Sequence, residues 1–242
     1  MQNSLATTAP LRSIAALEET PTAAFTAAIF DMDGTLIHST QADYEAWRKL
    51  FADYGIDLTF ERYFPLLGKK SADVVSSLLH LEGAEADAAM QQKMAYFKEF
   101  ALETGIQTIP FVEAWLESLQ QQGLRLALAT SSRRPKTELV LEQTGLGRFF
   151  EVIVTGNEVE HGKPAPDIFL KAAHRLQVPA ADCIVFEDAA SGVQAAKSAG
   201  MTCVAITTTH AAADLGQADT IIDSYEAMDF RALCAAVSRS AS

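Results

Sequence analysis

One short stretch constrains the fold more than any other: an apolar run that ends in two carboxylates and a glycine. Ala27–Phe30 has the composition of a buried strand. Asp31, Asp33 and Gly34 follow it, and the glycine predicts a sharp turn. Two carboxylates at the end of a buried strand repel each other unless a cation lies between them, and Mg²⁺ prefers oxygen ligands. The stretch therefore allows two interpretations, an exposed Asp-Gly turn or a metal-dependent active site.

The composition and net charge of the chain limit which partners and which cellular compartment are expected. The chain has 242 residues, enough for one α/β domain or a domain with an insertion. A net charge of -12 argues against nucleic acid or an anionic membrane surface as a partner. The cysteines are few and widely spaced, as in a reducing compartment, and no apolar run approaches the ~20 residues of a membrane helix. We therefore predict a cytoplasmic protein with no membrane partner; the sequence does not indicate its oligomeric state.

The chain divides into three parts by its periodicity. Residues 1–26 are rich in Ala and Thr, lack the basic start of a secretory signal, and are interpreted as a loose leader. Residues 40–109 show helical spacing without a strand, which predicts an inserted helical domain. Residues 27–39 and 110–242 form the predicted core, in which strands alternate with helices. Such alternation predicts an α/β fold with a mostly parallel sheet.

Polar side chains follow several of the predicted core strands. Because ligands of such sheets bind at the carboxyl ends of the strands, these side chains are candidate site residues. Each group alone is typical of a helix cap, a turn or a solvated loop, but their joint placement supplies what metal-assisted phosphoryl transfer needs. The candidates are Asp31, Asp33, Thr130, Ser131, Arg133, Lys163, Glu187 and Asp188.

Four motifs resemble a known family. They are Asp31-Met-Asp-Gly-Thr-Leu, the Thr130-Ser131 pair, Gly162-Lys-Pro-Ala-Pro-Asp-Ile-Phe169 and Phe186-Glu-Asp-Ala-Ala-Ser-Gly192. In order and spacing they resemble the signatures of the haloacid dehalogenase superfamily, in its branch of capped sugar phosphatases and β-phosphoglucomutases. The resemblance covers about residues 27–230. It implies a Rossmann-like core with an inserted α-helical cap.

The resemblance also implies roles for the candidate residues. Asp31 would be the nucleophile that forms an aspartyl-phosphate, and Asp33 the general acid and base. Asp31, the backbone carbonyl of Asp33 and Asp188 would hold Mg²⁺, with Glu187 in or beside that shell. The remaining candidates would bind phosphate or substrate. They are Thr130, Ser131, Arg133 and Lys163 of the core, and Lys69 and Lys70 of a cap loop.

The prediction that follows is a Mg²⁺-dependent phosphatase of a small phosphorylated metabolite, a sugar phosphate in particular. A β-phosphoglucomutase-type enzyme remains the main alternative. Two positions favour hydrolysis. Asp43 stands where the resembling mutases carry a His, and its negative charge would repel a second phosphate; Ser71 stands where they carry an Arg. Two further alternatives are a metal-free dehalogenase and a non-enzymatic binding protein. Asp33, Asp188 and Lys163 argue against the dehalogenase, and the full set of carboxylates argues against the binding protein.

Overall fold

The computed structural model describes residues 25–66, 69 and 71–240. Residues 1–24 of the predicted leader, and Lys70 of the predicted substrate-binding set, lie outside the described residues. Phe25 and Thr26, grouped with the leader above, belong to the folded core: Phe25 is buried, and the Thr26 N–H donates to the Asp182 carbonyl at 2.9 Å.

Eight strands and nine helices are present in this described part of the chain. The strands are β1 (Ala27–Phe30), β2 (Ile37–His38), β3 (Gln107–Thr108), β4 (Arg125–Thr130), β5 (Val152–Thr155), β6 (Cys183–Glu187), β7 (Thr202–Ile206) and β8 (Thr220–Ile222). The helices are α1 (Thr40–Asp53), α2 (Phe60–Tyr63), α3 (Ser71–Val74), α4 (Gly83–Thr104), α5 (Val112–Gln121), α6 (Arg134–Thr144), α7 (Asp167–Leu176), α8 (Ala190–Ser198) and α9 (Phe230–Ser240). A π-helical turn, Val75–Leu79, follows α3.

Six strands form one parallel sheet in the order β5-β4-β1-β6-β7-β8. All of β1 is buried, since it lies between β4 and β6, where Ala27 pairs with both Arg125 and Cys183. A strand covered on both faces reads as a continuous apolar run, which is why the sequence revealed it. The predicted α/β fold with a mostly parallel, Rossmann-like sheet is confirmed. Asp31 consequently lies near the centre of the carboxyl edge of the sheet.

The two faces of the sheet carry separate apolar layers. Phe30 packs with residues of α5 and α9, including Trp115 and Phe230, whereas Ile29 faces α7 and α8, including Phe169. Successive residues of a strand point to opposite faces, so a four-residue strand contributes to both layers. The central strand and its carboxyl end are thus held rigidly on two sides.

The helical segment between β2 and β3 has an apolar core of its own. Trp47, Phe51, Tyr63 and Val75 are among its buried residues. The sequence analysis predicted helices here and no strand; the absence of a strand was wrong, because β2 and β3 pair antiparallel at the two ends of the segment. Two residues per strand are too few to give a periodic signal. We call residues 39–106, between these strands, the helical insertion.

No helix in the described ranges combines the length and the apolar character that a transmembrane span needs.

Candidate active site

A buried lysine and a buried carboxylate form the centre of the site. Asp31 directly follows β1, and its backbone N–H donates to the Phe186 carbonyl of β6 at 3.0 Å. Lys163, from the loop before α7, donates from Nζ to Asp31 Oδ1 at 2.7 Å and also contacts Glu187 Oε1. Asp31 and Lys163 are each 6% exposed. Paired charges withdrawn from water in this way interact strongly and fix each other in place.

Three carboxylates crowd around that lysine. One oxygen from each of Asp31, Glu187 and Asp188 lies within 4.8 Å of the others, and we call this group the acidic cluster. Burial raises the pKa of Asp31 to about 7, with Glu187 and Asp33 adding to the effect and Lys163 opposing it. Burial, then Glu187 and Asp31, raises the pKa of Asp188 well above its ordinary range. The cluster has more negative charge than one lysine balances, so its donor set fits a hard cation such as Mg²⁺.

The members of the acidic cluster are not equally available to a cation. Glu187 Oε2 accepts the backbone N–H groups of Asp188 at 2.8 Å and Ala189 at 2.9 Å, while its Oε1 meets Lys163. Both oxygens of Glu187 therefore already have partners. The carboxylate of Asp188 accepts hydroxyl hydrogen bonds from Thr35 at 3.3 Å and from Thr209, and Glu187 is the least exposed of the three, at 1% against 4% for Asp188 and 6% for Asp31.

Two glycines let the motifs approach each other this closely. Gly34 has φ +84°, and a Cβ at this position would collide with the Asp188 carboxylate. A Cβ at Gly192 would collide with the Glu187 carboxylate. The turn predicted at Gly34 is confirmed, and its positive φ is one that glycine adopts without strain.

Asp33 has different surroundings from Asp31. Its carboxylate accepts a hydrogen bond from Ser132 Oγ at 2.6 Å, accepts another from Ser39 Oγ, and lies 2.8 Å from Lys136 Nζ. The turn after β1 thus separates the two carboxylates of the first motif. One faces the acidic cluster, and the other faces the helical insertion.

A second group of charged side chains surrounds Lys136. Asp43 of α1 lies 3.2 Å from Lys136 Nζ and accepts a hydrogen bond from Lys93 Nζ of α4 at 2.5 Å. We call Asp33, Asp43, Lys93 and Lys136 the mixed-charge cluster. Burial alone would raise the pKa of Asp43, but Lys136 and then Lys93 outweigh it and lower the pKa to about 2. The sequence analysis treated Asp43 as an unpaired negative charge and missed this cluster.

The predicted phosphate-binding residues lie at differing distances from the centre. Thr130, Ser131 and Lys69 line the same cleft as Asp31 and Asp33. Thr130 Oγ1 is already oriented, since it accepts the Ser132 N–H at 3.1 Å. Arg133 lies away from this cleft, in a neighbouring cavity of about 490 Å³, and its guanidinium is 3.7 Å from Asp87.

Comparison with known proteins identifies the family. The model of the haloacid dehalogenase-like hydrolases matches residues 28–206, most of the chain. The chain belongs to this family. A fructose-1-phosphate phosphatase, YqaB, from Escherichia coli (strain K12) is 33% identical to this haloacid dehalogenase-like hydrolase, over 73% of this chain and 93% of the relative. A solved β-phosphoglucomutase from Clostridium difficile superposes with a TM-score of 0.81 at 25% identity, covering 89% of this chain and 98% of that one.

A third relative is much longer than this hydrolase. Protein SUPPRESSOR OF QUENCHING 1 of Arabidopsis thaliana is 37% identical over 76% of this chain, but the chain spans only 18% of its length. The family prediction is confirmed, and the relatives support the predicted phosphoric monoester hydrolase. The cytoplasmic location stays a prediction.

Proposed function

We propose that this hydrolase is a Mg²⁺-dependent phosphatase of small phosphorylated metabolites, sugar phosphates in particular, and that Asp31 is its nucleophile. The observation that carries the proposal is the buried Asp31 carboxylate at the end of β1, bonded to Lys163 within the acidic cluster. A carboxylate held there can attack phosphorus while the lysine balances the charge that accumulates on the phosphate oxygens.

The two steps of the reaction divide between the two carboxylates of the first motif. In the first step an Asp31 oxygen bonds to phosphorus, the bond to the leaving oxygen breaks, and Asp33 gives that oxygen its proton. In the second step Asp33 takes a proton from water as the water oxygen bonds to phosphorus and releases Asp31. Thr130 and Ser131 donate hydrogen bonds to the phosphoryl group.

The metal site proposed for this reaction uses residues already described. Asp31, Asp188 and the backbone carbonyl of Asp33 would hold Mg²⁺, with Glu187 beside them. Bound there, the ion supplies positive charge that offsets the excess of the acidic cluster and polarises the phosphoryl group. The raised pKa values of Asp31 and Asp188 support this assignment, since burial first and neighbouring carboxylates second disfavour their charged forms, and a bound cation would relieve both effects.

The leaving group is proposed to occupy the cavity on the Asp33 side. Ser132 and Lys136, which contact Asp33, also line that cavity of about 490 Å³. Met90 and Phe97 give it an apolar wall, and Arg133 a charged one. A polar ring of sugar size fits such a site, in which a few polar groups orient a ligand against apolar walls. The relative named as a fructose-1-phosphate phosphatase supports the same class of substrate.

We also propose that residues 40–109 act as a cap on the core formed by 27–39 and 110–242. The insertion contacts the core at points around the site: Asp87 faces Arg133, and the rings of Phe64 and His210 lie 5.2 Å apart. A cap closed in this way excludes water during the first step.

A screen of phosphorylated metabolites with phosphate detection tests the proposed function. We expect release of phosphate from one or more hexose or pentose monophosphates in Mg²⁺ buffer, and none from the Asp31→Asn protein. Failure of the wild-type protein to hydrolyse any phosphate monoester would contradict the proposal. Full activity without metal would favour the dehalogenase alternative instead.

The mutase alternative has one specific observation in its favour, the superposition on a β-phosphoglucomutase. Both reactions begin at Asp31 and differ in whether water or a sugar hydroxyl attacks the intermediate. The enzyme is given β-glucose 1-phosphate, Mg²⁺ and a trace of β-glucose 1,6-bisphosphate. We expect free phosphate; rapid formation of glucose 6-phosphate with little free phosphate would identify a mutase.

A further inference from the structure

Lys136 touches both the core and the helical insertion. It lies in the first turn of α6, in the core, and is only 5% exposed. Its Nζ is 2.8 Å from Asp33 in the core and 3.2 Å from Asp43 in α1 of the insertion. The same ammonium lies 4.7 Å from the centre of the Phe97 ring in α4. Two helices of the insertion thus complete the surroundings of one core lysine.

The mixed-charge cluster joins one ion pair of the insertion to one ion pair of the core. Asp43 and Lys93 belong to the insertion and bond at 2.5 Å, and Lys93 lies 4.6 Å from the centre of the Trp47 ring. Asp33 and Lys136 belong to the core. The 3.2 Å contact between Asp43 and Lys136 joins the two pairs and forms only when the insertion is seated on the core, so the cluster favours that arrangement.

We propose that Lys136 is a positioning residue that couples the seating of the helical insertion to the placement of the Asp33 carboxylate. The proposal rests on the proposed function of Asp33 in proton transfer. With the insertion seated, Asp43 and Phe97 hold the ammonium in one place. Asp33 is then fixed by Lys136, Ser132 and Ser39. With the insertion displaced, Lys136 becomes a flexible, hydrated side chain and no longer holds Asp33 in one place.

This coupling matters only when the leaving group needs a proton. A sugar alkoxide is a poor leaving group, so hydrolysis of a sugar phosphate depends on a correctly placed acid. p-Nitrophenolate leaves without protonation, so its phosphate ester depends little on the position of Asp33. A lysine that merely stabilised the fold would affect both substrates alike.

The test compares Lys136→Met and Asp43→Asn on two substrates, the best sugar phosphate of the screen and p-nitrophenyl phosphate. For Lys136→Met we expect kcat to fall about 100-fold with the sugar phosphate and less than about 3-fold with p-nitrophenyl phosphate. Asp43→Asn keeps the lysine and should lose about 10-fold, with the same selectivity. The double variant should be no worse than Lys136→Met, since both changes act through one pair.

Lys49→Met is the matched control. Lys49 of α1 pairs with Glu99 of α4 at 2.9 Å, joining two helices of the same insertion at an exposed position. We expect kcat to stay within about 2-fold of wild type on both substrates. If Lys136→Met does not fold, as judged by circular dichroism, the selectivity of Asp43→Asn decides the question.

The role of Lys136 and the proposed function can each be contradicted separately. Equal losses on both substrates, or losses that multiply in the double variant, would overturn the role of Lys136 while leaving the phosphatase intact. A wild-type protein that hydrolyses neither substrate would overturn the proposed function itself.

Discussion

The acidic cluster and the mixed-charge cluster line the same cleft and meet at the segment after β1, where Asp31 belongs to the first and Asp33 to the second, yet their charges are arranged in opposite ways. The first joins three carboxylates to a single lysine, and the pKa values of Asp31 and Asp188 are raised. The second joins two carboxylates to two lysines, and the pKa of Asp43 is lowered to about 2. The first arrangement has an excess of negative charge that fits a cation from outside the chain, whereas the second is balanced within it.

The difference separates two tasks that buried charge can perform. A cluster with excess charge is costly on its own but binds an opposite charge when one arrives. A balanced cluster gains nothing from an added ion and instead fixes the groups that compose it. The side-chain carboxylate of Asp33, in the balanced cluster, thus has different partners from the carboxylate of Asp31, although the two residues are only two positions apart.

The largest effect is expected at the centre of the acidic cluster. Asp31→Asn should reduce turnover by about 10³-fold or more, because it removes the proposed covalent catalyst while keeping the shape of the side chain. Phosphate release by purified protein measures this. The control is Asp223→Asn at an exposed position, which should retain wild-type activity. Activity of Asp31→Asn within tenfold of wild type would refute the assignment.

The second-largest effect is expected in the Mg²⁺ requirement for activity, which should differ between variants of the two clusters. EDTA should abolish activity and Mg²⁺ restore it, and Asp188→Asn should raise the Mg²⁺ concentration needed for half-maximal activity by about 10–100-fold. Asp43→Asn should leave that concentration unchanged, since Asp43 belongs to the balanced cluster. Titration of activity with Mg²⁺ gives both values. An equal shift in the two variants would remove the distinction between the clusters.

In metal-free buffer, the free energy of unfolding should change in opposite directions for a variant of each cluster. Asp43→Asn leaves Lys93 and Lys136 with one carboxylate fewer, and should lower the free energy of unfolding by about 3 kcal/mol. Asp188→Asn relieves repulsion within the acidic cluster and should raise it by about 1 kcal/mol in EDTA. Urea unfolding at pH 7 compares the two variants with wild type. Loss of stability in both would show that the excess charge of the acidic cluster is already compensated within the chain.

The clusters should also respond to pH with opposite sign. The raised pKa of Asp31, about 7, means that its destabilising charge appears as the pH rises from about 4 to 7. In EDTA, wild-type protein should therefore gain about 2 kcal/mol relative to Asp31→Asn when the pH falls from 7.5 to 5.5. Thermal unfolding at both values tests this, and the gain should vanish in saturating Mg²⁺.

The lowered pKa of Asp43 predicts the opposite pH dependence, because its contribution to stability is lost as the pH falls. Its contribution is complete above the ordinary pKa of about 4 and is lost as the pH falls toward 2. The stability difference between wild type and Asp43→Asn should therefore shrink by about 2 kcal/mol between pH 5 and pH 2. A constant difference across that range would mean that Asp43 is not held by its lysines.

The sequence predicted the acidic cluster far better than the mixed-charge cluster, for a physical reason. Glu187 and Asp188 meet Asp31 because β6 is the parallel neighbour of β1, and the carboxyl ends of neighbouring parallel strands coincide. Apolar runs revealed the core strands, and the predicted bounds of the first, Ala27–Phe30, match the observed β1. Position along the chain was therefore enough to bring the motifs together.

The mixed-charge cluster depends instead on how helices pack. Asp43 and Lys93 are 50 residues apart on α1 and α4, and Lys136 comes from the core. Their meeting depends on the crossing of two helices and on the seating of the insertion, neither of which a single-sequence pattern encodes. The sequence analysis accordingly assigned Asp43 a repulsive role toward a second phosphate. The structure corrects this, since both of its carboxylate oxygens face lysines.

The short ribbon of β2 and β3 gives the molecule a modular architecture. Ile37 pairs with Thr108 and His38 with Gln107, so the chain leaves the core and returns to it at one point. In topological terms the helical insertion is the enlarged loop of a hairpin, and the free-energy cost of a longer loop grows only slowly with its length. The six-stranded sheet therefore keeps its strand order whatever this loop contains. The helical insertion can therefore be lengthened, shortened or exchanged while the edge of the sheet that carries Asp31 stays unchanged.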